Sequence, residues 1–338
     1  MRNIIYIGDL RRGRTSWHRM LALKNLGHRI IPIDQASDIN NLFERVLRSF
    51  RQRVGYPLDP NNVNILLLKS ILDFSPDLIW LDKPMNIKRS TLVNIKEIDS
   101  NLKIVAYSPD DMLNPQNQSK YHTKILPLLD AYYTTKSFGV NELKNMGCKN
   151  VFFIENGYCT EIHRPVIPSF NSIRNKVGFI GGYEYERYQN ILFLANNGIN
   201  VNIQGSFWNK VGSENLIKIK NGDLIDLDYS AMISLTDINL CFLRKANRDL
   251  QTSRSIEIPA CGGFMLAERS DEHLQLFKDG IEAVFFSDKQ EMLDKTKYYL
   301  NHPEQRLKIA MAGRDRCKSS GYSNESRMSN ALKLLDSI

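Results

Sequence analysis

Short apolar runs rich in β-branched and aromatic residues alternate with helix-period segments along nearly all of this 338-residue chain. In the first half, runs suited to buried strands fall at Ile4–Ile7, Arg29–Ile33, Leu78–Leu81, Lys103–Tyr107, Ala131–Thr134 and Val151–Ile154. Helical patterns lie between them, near 16–26, 40–53, 63–74, 88–98, 118–129 and 139–146. Leu26-Gly27-His28, Ser75-Pro76-Asp77 and Met146-Gly147-Cys148 each stop a helix just before a strand. The second half repeats the rhythm, with strands expected at Lys176–Ile180, Val201–Gln204, Ile238–Phe242, Phe264–Leu266 and Ala283–Phe286. Such alternation predicts an α/β chain with two parallel, doubly wound sheets, one per half. Periodicity lapses over residues 157–175, where Gly157, Pro165, Pro168, Ser169 and Asn171-Ser172 stand, so a domain boundary is expected there. A ligand between two such sheets would sit in a cleft at the carboxyl ends of the strands. Helices at 304–317 and from about 324 to 335 end the chain.

Composition agrees with two soluble globular domains, at 42% hydrophobic and 24% charged residues. No stretch approaches the ~20 apolar residues that span a bilayer. The opening M-R-N-I-I-Y-I-G-D turns polar too soon for a signal peptide. Five scattered cysteines (148, 159, 241, 261 and 317) make no C-x-x-C pair, which argues against a zinc or disulfide framework and for a reducing cytoplasm. A net charge of +8 and pI near 9.1 ask for an anionic partner. No basic tail or nucleic-acid motif is present, so no nucleic-acid partner is expected. The densest basic cluster, L-F-E-R-V-L-R-S-F-R-Q-R at 42–53, gathers Leu42, Phe43, Val46, Leu47 and Phe50 on one face, with Arg45, Arg48, Arg51 and Arg53 beside or opposite. A helix of this kind can rest on an anionic membrane surface. The ordinary alternative, a core-facing helix with a solvated basic side, takes precedence.

Candidate chemistry concentrates in S-R-S-I-E-I-P-A-C-G-G-F-M-L-A, residues 253–267. Ser253 or Ser255 can cap a short helix whose amino end carries Arg254 and Glu257, and Gly262-Gly263 end it before a strand. Unpaired N–H groups and partial positive charge at that end suit a phosphate. A guanidinium adds a fork for phosphate oxygens, and a glutamate one turn on can accept from sugar hydroxyls. The pattern reads equally as a capped helix with a surface ion pair.

Taken in order, V-G-F-I-G-G-Y-E-Y-E-R (177–187), V-N-I-Q-G-S-F-W (201–208), the 253–264 stretch, F-K-D-G-I-E-A-V-F-F (277–286), Y-Y-L-N-H-P-E-Q-R (298–306) and Y-S-N-E-S-R (322–327) resemble glycosyltransferases of the GT-B fold. The likeness is greatest to the spore-maturation CgeB-like branch, related to glycosyltransferase families 1 and 4. E-N-G-Y-C-T-E-I-H-R-P (155–165) is similar to the family's interdomain passage, and the first half agrees more loosely through L-K-N-L-G-H-R-I, S-P-D-L-I-W and Y-S-P-D-D. The resemblance implies two Rossmann-like domains facing each other across a cleft: an acceptor-binding domain at 1–165, a nucleotide-sugar domain at 166–320, and a terminal helix at 321–338 packing back on the first. It also implies a nucleotide-diphosphate sugar as co-substrate, no cofactor, and no metal.

Within it, Gly181-Gly182 would let backbone approach the donor phosphates, Arg187 would pair with the diphosphate, and Gly205 and Trp208 would stand where the family places its base-binding wall; a core tryptophan is the competing reading. Ser253, Arg254, Ser255 and Glu257 would complete the donor site, Arg254 neutralising the leaving diphosphate and Glu257 holding the ribose. Asp249 replaces the first glutamate of the related E-x7-E motif, which contacts the donor sugar. Leu192 replaces the lysine expected after Arg187, leaving Arg244, Lys245 or Arg248 of a flexible-looking loop at 244–253 to supplement phosphate binding.

In the first half, Gly8-Asp9-Leu10-Arg11-Arg12-Gly13 follows a strand and would line the cleft, with Gly13 opposite the donor phosphates. It lacks both the G-x-G-x-x-G and the G-K-[ST] patterns, which disfavours dehydrogenase and NTPase readings. Asp110-Asp111 can act as general base if the anomer is inverted, or orient the acceptor if it is retained; a capped loop after Pro109 explains them as well. His122 is a second acceptor-side candidate, although a lone helical histidine is more often structural. Asp226-Leu227-Asp228 looks like an N-cap rather than a metal motif. The expectation is a cytoplasmic glycosyltransferase, at the inner face of the membrane if the 42–53 helix docks there. Its acceptor would be a glycan or lipid-linked glycan of a cell-surface polysaccharide such as an O-antigen, capsule or spore glycan. A sugar-nucleotide epimerase and a non-catalytic sugar-nucleotide or glycan-binding module are the alternatives.

Overall fold

The computed structural model describes residues 1–37, 42–167, 174–212 and 215–338, with the backbone alone over 42–45. Leu42, Phe43 and Arg45, as side chains, and Pro168, Ser169, Asn171 and Ser172 therefore lie outside the described residues. The chain divides into unit 1, Met1–Glu155 with Asn324–Ile338, and unit 2, Asn156–Ser323.

Unit 1 runs β1 (Asn3–Gly8), α1 (Thr15–Asn25), β2 (Arg29–Asp34), α2 (Leu42–Arg53), α3 (Val63–Phe74), β3 (Leu78–Asp82), α4 (Arg89–Ile98), β4 (Lys103–Ser108), α5 (Lys120–Ile125), β5 (Ala131–Thr134), α6 (Gly139–Asn145) and β6 (Val151–Phe153). The strands form one parallel sheet in the order β2-β1-β3-β4-β5-β6. Alternate residues of each strand feed two cores, as the two-residue period requires. Ile5, Ile7, Ile79 and Leu81 face one, and Ile4, Tyr6, Leu78 and Trp80 the other. Trp80 stacks on Tyr6, Tyr107 and Tyr133 at centroid distances of 6.3, 6.3 and 5.4 Å.

Unit 2 runs β7 (Asn175–Ile180), α7 (Tyr185–Asn196), β8 (Val201–Gly205), β9 (Ile217–Asn221), α8 (Asp226–Ser234), β10 (Thr236–Cys241), α9 (Ser253–Ala260), β11 (Met265–Glu268), α10 (Asp271–Leu276), β12 (Val284–Phe286), α11 (Lys289–Asn301) and α12 (Pro303–Ser319). Its sheet is also wholly parallel, ordered β12-β11-β10-β7-β8-β9. Strand β9 is an addition to the expected set, because I-K-I-K-N buries only Ile217 and reads as a polar segment. Asp226 and Asp228 stand in the first turn of α8, with Ile225 in the cap position, so the D-L-D stretch is not the cap itself.

The last helix, α13 (Asn324–Asp336), belongs to unit 1. Met328, Ala331, Leu332 and Leu335 pack with Ala22, Leu23 and Trp80, and Tyr133 Oη donates to Ala331 O at 2.9 Å or less, namely 2.7 Å. Between Asn156 and Pro165 the chain keeps company with unit 2. Tyr158 bridges Ser323, Ser230 Oγ donates to Ile162 O at 2.7 Å, and Pro165 lies against Gly262. The turn residues of that passage end the periodicity, while its buried side chains decide which unit it joins.

One expectation is overturned. On α2, Val46 and Phe50 are 61% and 60% exposed and Leu47 is exposed as well, so these three members of the apolar face do not enter the core. The core beneath is filled instead by Val63, Leu67 and Ile71 of α3.

Candidate active site

In open α/β sheets ligands bind at the carboxyl ends of the strands where the strand order reverses. Unit 2 reverses between β7 and β10, and unit 1 between β1 and β3. Of the residues singled out by sequence in the second half, Gly181, Gly182 and Arg187 follow β7, Asp249, Ser253, Arg254, Ser255 and Glu257 follow β10, and Gly205 and Trp208 end or follow the neighbouring β8.

After β7 the backbone turns through Gly181-Gly182 into α7. Gly181 N–H donates to Gln204 O at 2.9 Å, and the Trp208 indole N–H donates to Gly181 O at 2.8 Å. A Cβ at Gly205 would lie 2.1 Å from Gly181 O, so only glycine permits β8 to approach this closely. Trp208 is 1% exposed and meets Phe179 and Tyr183 edge-on. It braces the turn from within unit 2 and offers no open ring face.

Arg187, in the first turn of α7, is buried, and its guanidinium lies 5.6 Å from the centre of the Phe179 ring. After β10 the chain forms a short 3-10 turn and then α9, whose second residue, Arg254, lies 6.0 Å from the same ring. Two cations thus approach one aromatic ring beside Gly181, where a Cβ would come within 3.5 Å of Arg254 Cζ. Arg187 Nη1 donates to Gly182 O at 3.2 Å, and Glu184 stands 3.7 Å from Nε, too far for a hydrogen bond. Its Nε and Nη2, and Nε of Arg254, are buried with no hydrogen-bond partner. Burial first, and then the neighbouring Arg254 charge, push the Arg187 guanidinium down from 12.5 to about 10. Buried donors without acceptors cost free energy, and the deficit here has the sign and geometry that an anion would satisfy.

The helix cap differs from the expectation. Thr252 and Ser255 form a capping box, with Thr252 N–H donating to Ser255 Oγ at 2.9 Å, so neither Ser253 nor Ser255 is the cap residue. Ser255 Oγ is also 2.6 Å from His273 Nε2, while His273 Nδ1 faces Glu268 O at 2.6 Å. A carbonyl can only accept, so Nδ1 carries the proton and Nε2 accepts from Ser255. Ser253, half-buried, lies 3.5 Å from Asn156 Oδ1. The 244–253 loop is well braced rather than loose. Arg244 Nε donates to Glu184 Oε1 at 2.7 Å, Leu243 N–H to Glu268 Oε2 at 2.7 Å, and Asn247 Nδ2 to the buried Asp249 at 2.6 Å. Arg248 holds a left-handed φ of 48° within it.

Glu257 is buried and accepts from Tyr229 Oη at 2.7 Å, with His163 Nε2 at 3.8 Å from its other oxygen. His163 Nδ1 accepts the Cys159 N–H at 3.0 Å, which leaves the proton on Nε2, facing Glu257. Burial pushes His163 down to about 3, so the ring is neutral at pH 7. Glu184 and His163 lie within the 177–187 and 155–165 stretches, and Tyr229 lies outside every quoted motif; their meeting with Arg244 and Glu257 is what marks the three.

In unit 1, Asp110 is ion-paired to Lys83 Nζ. Lys83 itself holds a left-handed φ of 50°. Beneath them Arg19 and Asp82 form a buried two-point ion pair at 2.7 and 2.8 Å, and Tyr6 Oη donates to Asp82 at 2.7 Å. Gly13, at φ 82°, closes the turn before α1. His122 is buried, 3.0 Å from Tyr132 Oη, and burial pushes it down to about 4, so it is a core histidine. The five cysteines are free and buried. Among the described residues, no helix is long and apolar enough to cross a membrane.

A family model described as "Glycosyl transferase-like" matches residues 187–333. No curated protein matches the sequence. Among solved structures the chain is similar to the Anabaena protein HepE in complex with UDP and glucose, at TM-score 0.68 and 15% identity over 100% of both chains. It is also similar to sucrose-phosphate synthase from Thermosynechococcus elongatus, at TM-score 0.67 and 12% identity over 100% of both chains. A putative UDP-N-acetylglucosamine 2-epimerase from Listeria monocytogenes gives TM-score 0.55 and 11% identity, over 98% of this chain and 94% of that one. At such identities the likeness is one of fold. Two six-stranded parallel sheets clothed in helices are the fold of GT-B glycosyltransferases, and the family-model match lies within residues 187–333.

Proposed function

We propose that the protein transfers a sugar from a nucleotide-diphosphate donor to a hydroxyl of a glycan acceptor. The observation that carries this reading is the pair Arg187 and Arg254, both set against the Phe179 ring at the strand reversal of unit 2, with buried N–H donors lacking acceptors. A diphosphate satisfies those donors and separates the two like charges. As the bond between anomeric carbon and diphosphate breaks, negative charge grows on the leaving oxygen, and Arg254 at the amino end of α9 stabilises it. Charge neutralisation of this kind asks for no metal. The acceptor oxygen forms the new bond to the anomeric carbon as the bond to the diphosphate breaks, and its proton passes to the departing diphosphate or to water.

Glu257, oriented by the Tyr229 hydroxyl, accepts from the ribose hydroxyls. Asp249 supports the loop that carries Arg254. Asp110, held by Lys83, orients the acceptor rather than removing its proton. UDP sugars are the first donors to test, since HepE was solved with UDP and glucose. The exposed apolar residues of α2, flanked by Arg48, Arg51 and Arg53, favour a cytoplasmic enzyme working at an anionic membrane face, with a lipid-linked glycan of a surface polysaccharide as acceptor. This reading keeps the CgeB-like relationship as its family placement.

The test is a panel of nucleotide sugars, with nucleotide release followed with and without an acceptor extract. Acceptor-dependent release supports transfer. An isomerised donor without acceptor supports an epimerase, which the Listeria likeness keeps in view, and binding without turnover supports a binding module. Arg254→Ala is expected to abolish turnover with the fold intact; near-wild-type turnover overturns the proposal.

A further inference from the structure

Unit 1 holds a cavity of about 600 Å³ at its own strand reversal, between the loops after β1 and β3, with α2 as a wall. That size is within the range of small-molecule sites. Two amide oxygens in its lining define its chemistry. Gln35 Nε2 donates to Asp82 O at 2.9 Å and to Lys83 O at 3.3 Å, which fixes the amide orientation and leaves Oε1 as an acceptor. Asn86 Nδ2 faces Asp59 Oδ1 at 3.4 Å, so its Oδ1 is likewise the acceptor end. Both oxygens are buried and neither has a hydrogen-bond donor. They call for hydroxyl groups.

The same cavity is lined by three cationic side chains, Arg11, Lys83 and Arg48, and one carboxylate, Asp9; Asp110, outside the lining, is the ion-pair partner of Lys83, so Arg48 supplies the excess positive charge. Arg11 is tied to Asp9 through two hydrogen bonds, at 2.9 and 2.6 Å. Lys83 sits on a left-handed residue whose N–H donates to Tyr107 O at 2.7 Å and whose carbonyl is gripped by Gln35. Backbone strain held by its surroundings in this way is characteristic of sites that present a side chain. Arg48 faces the cavity from α2.

We infer that this cavity binds an anionic sugar. Its hydroxyls donate to Gln35 Oε1 and Asn86 Oδ1, and its phosphate or carboxylate meets Lys83 and Arg48. Calling that sugar the acceptor rests on the proposed transfer reaction; the binding itself does not.

The test titrates full-length protein, saturated with UDP to occupy the donor site, with glucose 1-phosphate, glucuronate, glucose and inorganic phosphate, followed by calorimetry. Charge-assisted contacts predict at least about 10-fold tighter binding for one anionic sugar than for glucose or for phosphate. Preference for glucose 1-phosphate assigns a phosphate handle, and preference for glucuronate a carboxylate. Arg48→Gln, a change on an exposed helix position, is expected to reduce the anionic sugar to the level of glucose. Gln35→Leu is expected to weaken both sugars together. Equal binding of glucose and the anionic sugars, phosphate binding as tightly as any sugar, or an unchanged preference in Arg48→Gln overturns the inference. UDP binding, measured first, stands or falls separately, so failure of the donor reading is distinguishable from failure of this one.

Discussion

Arg187→Met separates a ligand-binding arginine from a structural one, because the two roles predict opposite outcomes. The guanidinium is 3% exposed, and its ionisation is displaced from 12.5 to about 10. At about 1.4 kcal/mol per unit, that environment disfavours the charged side chain by roughly 3 kcal/mol. Methionine keeps an unbranched apolar stem against Phe179 and removes the charge, losing one 3.2 Å bond to Gly182 O and a distant ion pair with Glu184. Replacing a poorly compensated buried charge by an apolar side chain is commonly neutral or stabilising, so unit 2 is expected to unfold at the same or a higher denaturant concentration without nucleotide. Trp208, the tryptophan of unit 2, reports that transition by fluorescence. With UDP the sign reverses. Losing charge-assisted hydrogen bonds, each worth about 1.5–3 kcal/mol, weakens binding by roughly 10- to 150-fold in a calorimetric titration. A variant that unfolds far more readily yet binds UDP with wild-type affinity would refute the reasoning and make Arg187 a structural cation.

Three further outcomes follow from the geometry. In Gly181→Ala the new methyl would lie 2.8 Å from Phe179 Cζ and 3.5 Å from Arg254 Cζ, so the ring must shift and UDP affinity should fall about tenfold at a cost of roughly 1–3 kcal/mol in stability. Gly182→Ala meets nothing nearer than Ser206 O at 3.7 Å and should bind as wild type; equal effects of the two changes count against the site. His163 is held at about 3 when folded against 6.5 when unfolded, so below pH 6.5 only the unfolded chain takes the proton, and stability falls by up to about 1.4 kcal/mol per pH unit on its account. Denaturation midpoints at pH 7, 6 and 5 should therefore decline less steeply in His163→Gln, and an identical decline removes this histidine from the balance. Val46→Ser with Phe50→Ser should abolish co-sedimentation with phosphatidylglycerol vesicles while leaving the fold intact, and equal sedimentation with and without the two changes would dismiss α2 as a membrane contact.

Much of the architecture is legible along the chain because a doubly wound fold is built from local units. Each strand buried on both faces needs an apolar run, each helix a 3.6-residue stripe, and each junction a glycine, proline or polar stop. The β1–β6 strands and α3, bounded by such stops, were readable to within a residue or two. Where the local signal is thin, reading fails: β9 buries one residue of five, and on α2 the tertiary structure leaves the apolar Val46, Leu47 and Phe50 in solvent. Periodicity reports that a face is apolar, never what covers it.

The candidate site divides in the same way. Arg254 and Glu257 stand out in the sequence because charge at helix amino ends is a local property, while Gly181-Gly182 and Arg187 stand out through the family resemblance. That Arg187 and Arg254 share the Phe179 ring, and that Trp208 braces the turn instead of facing a base, depends on β10 inserting beside β7 rather than beside β9. His163 and Tyr229 reach Glu257, and Gln35 and Asn86 keep their amide oxygens without donors, through contacts between segments far apart in sequence. Composition and spacing determine which groups the chain carries; strand order and burial decide which of them meet and which charges lack a counterpart, because desolvation and hydrogen-bond geometry exist only once the chain has packed.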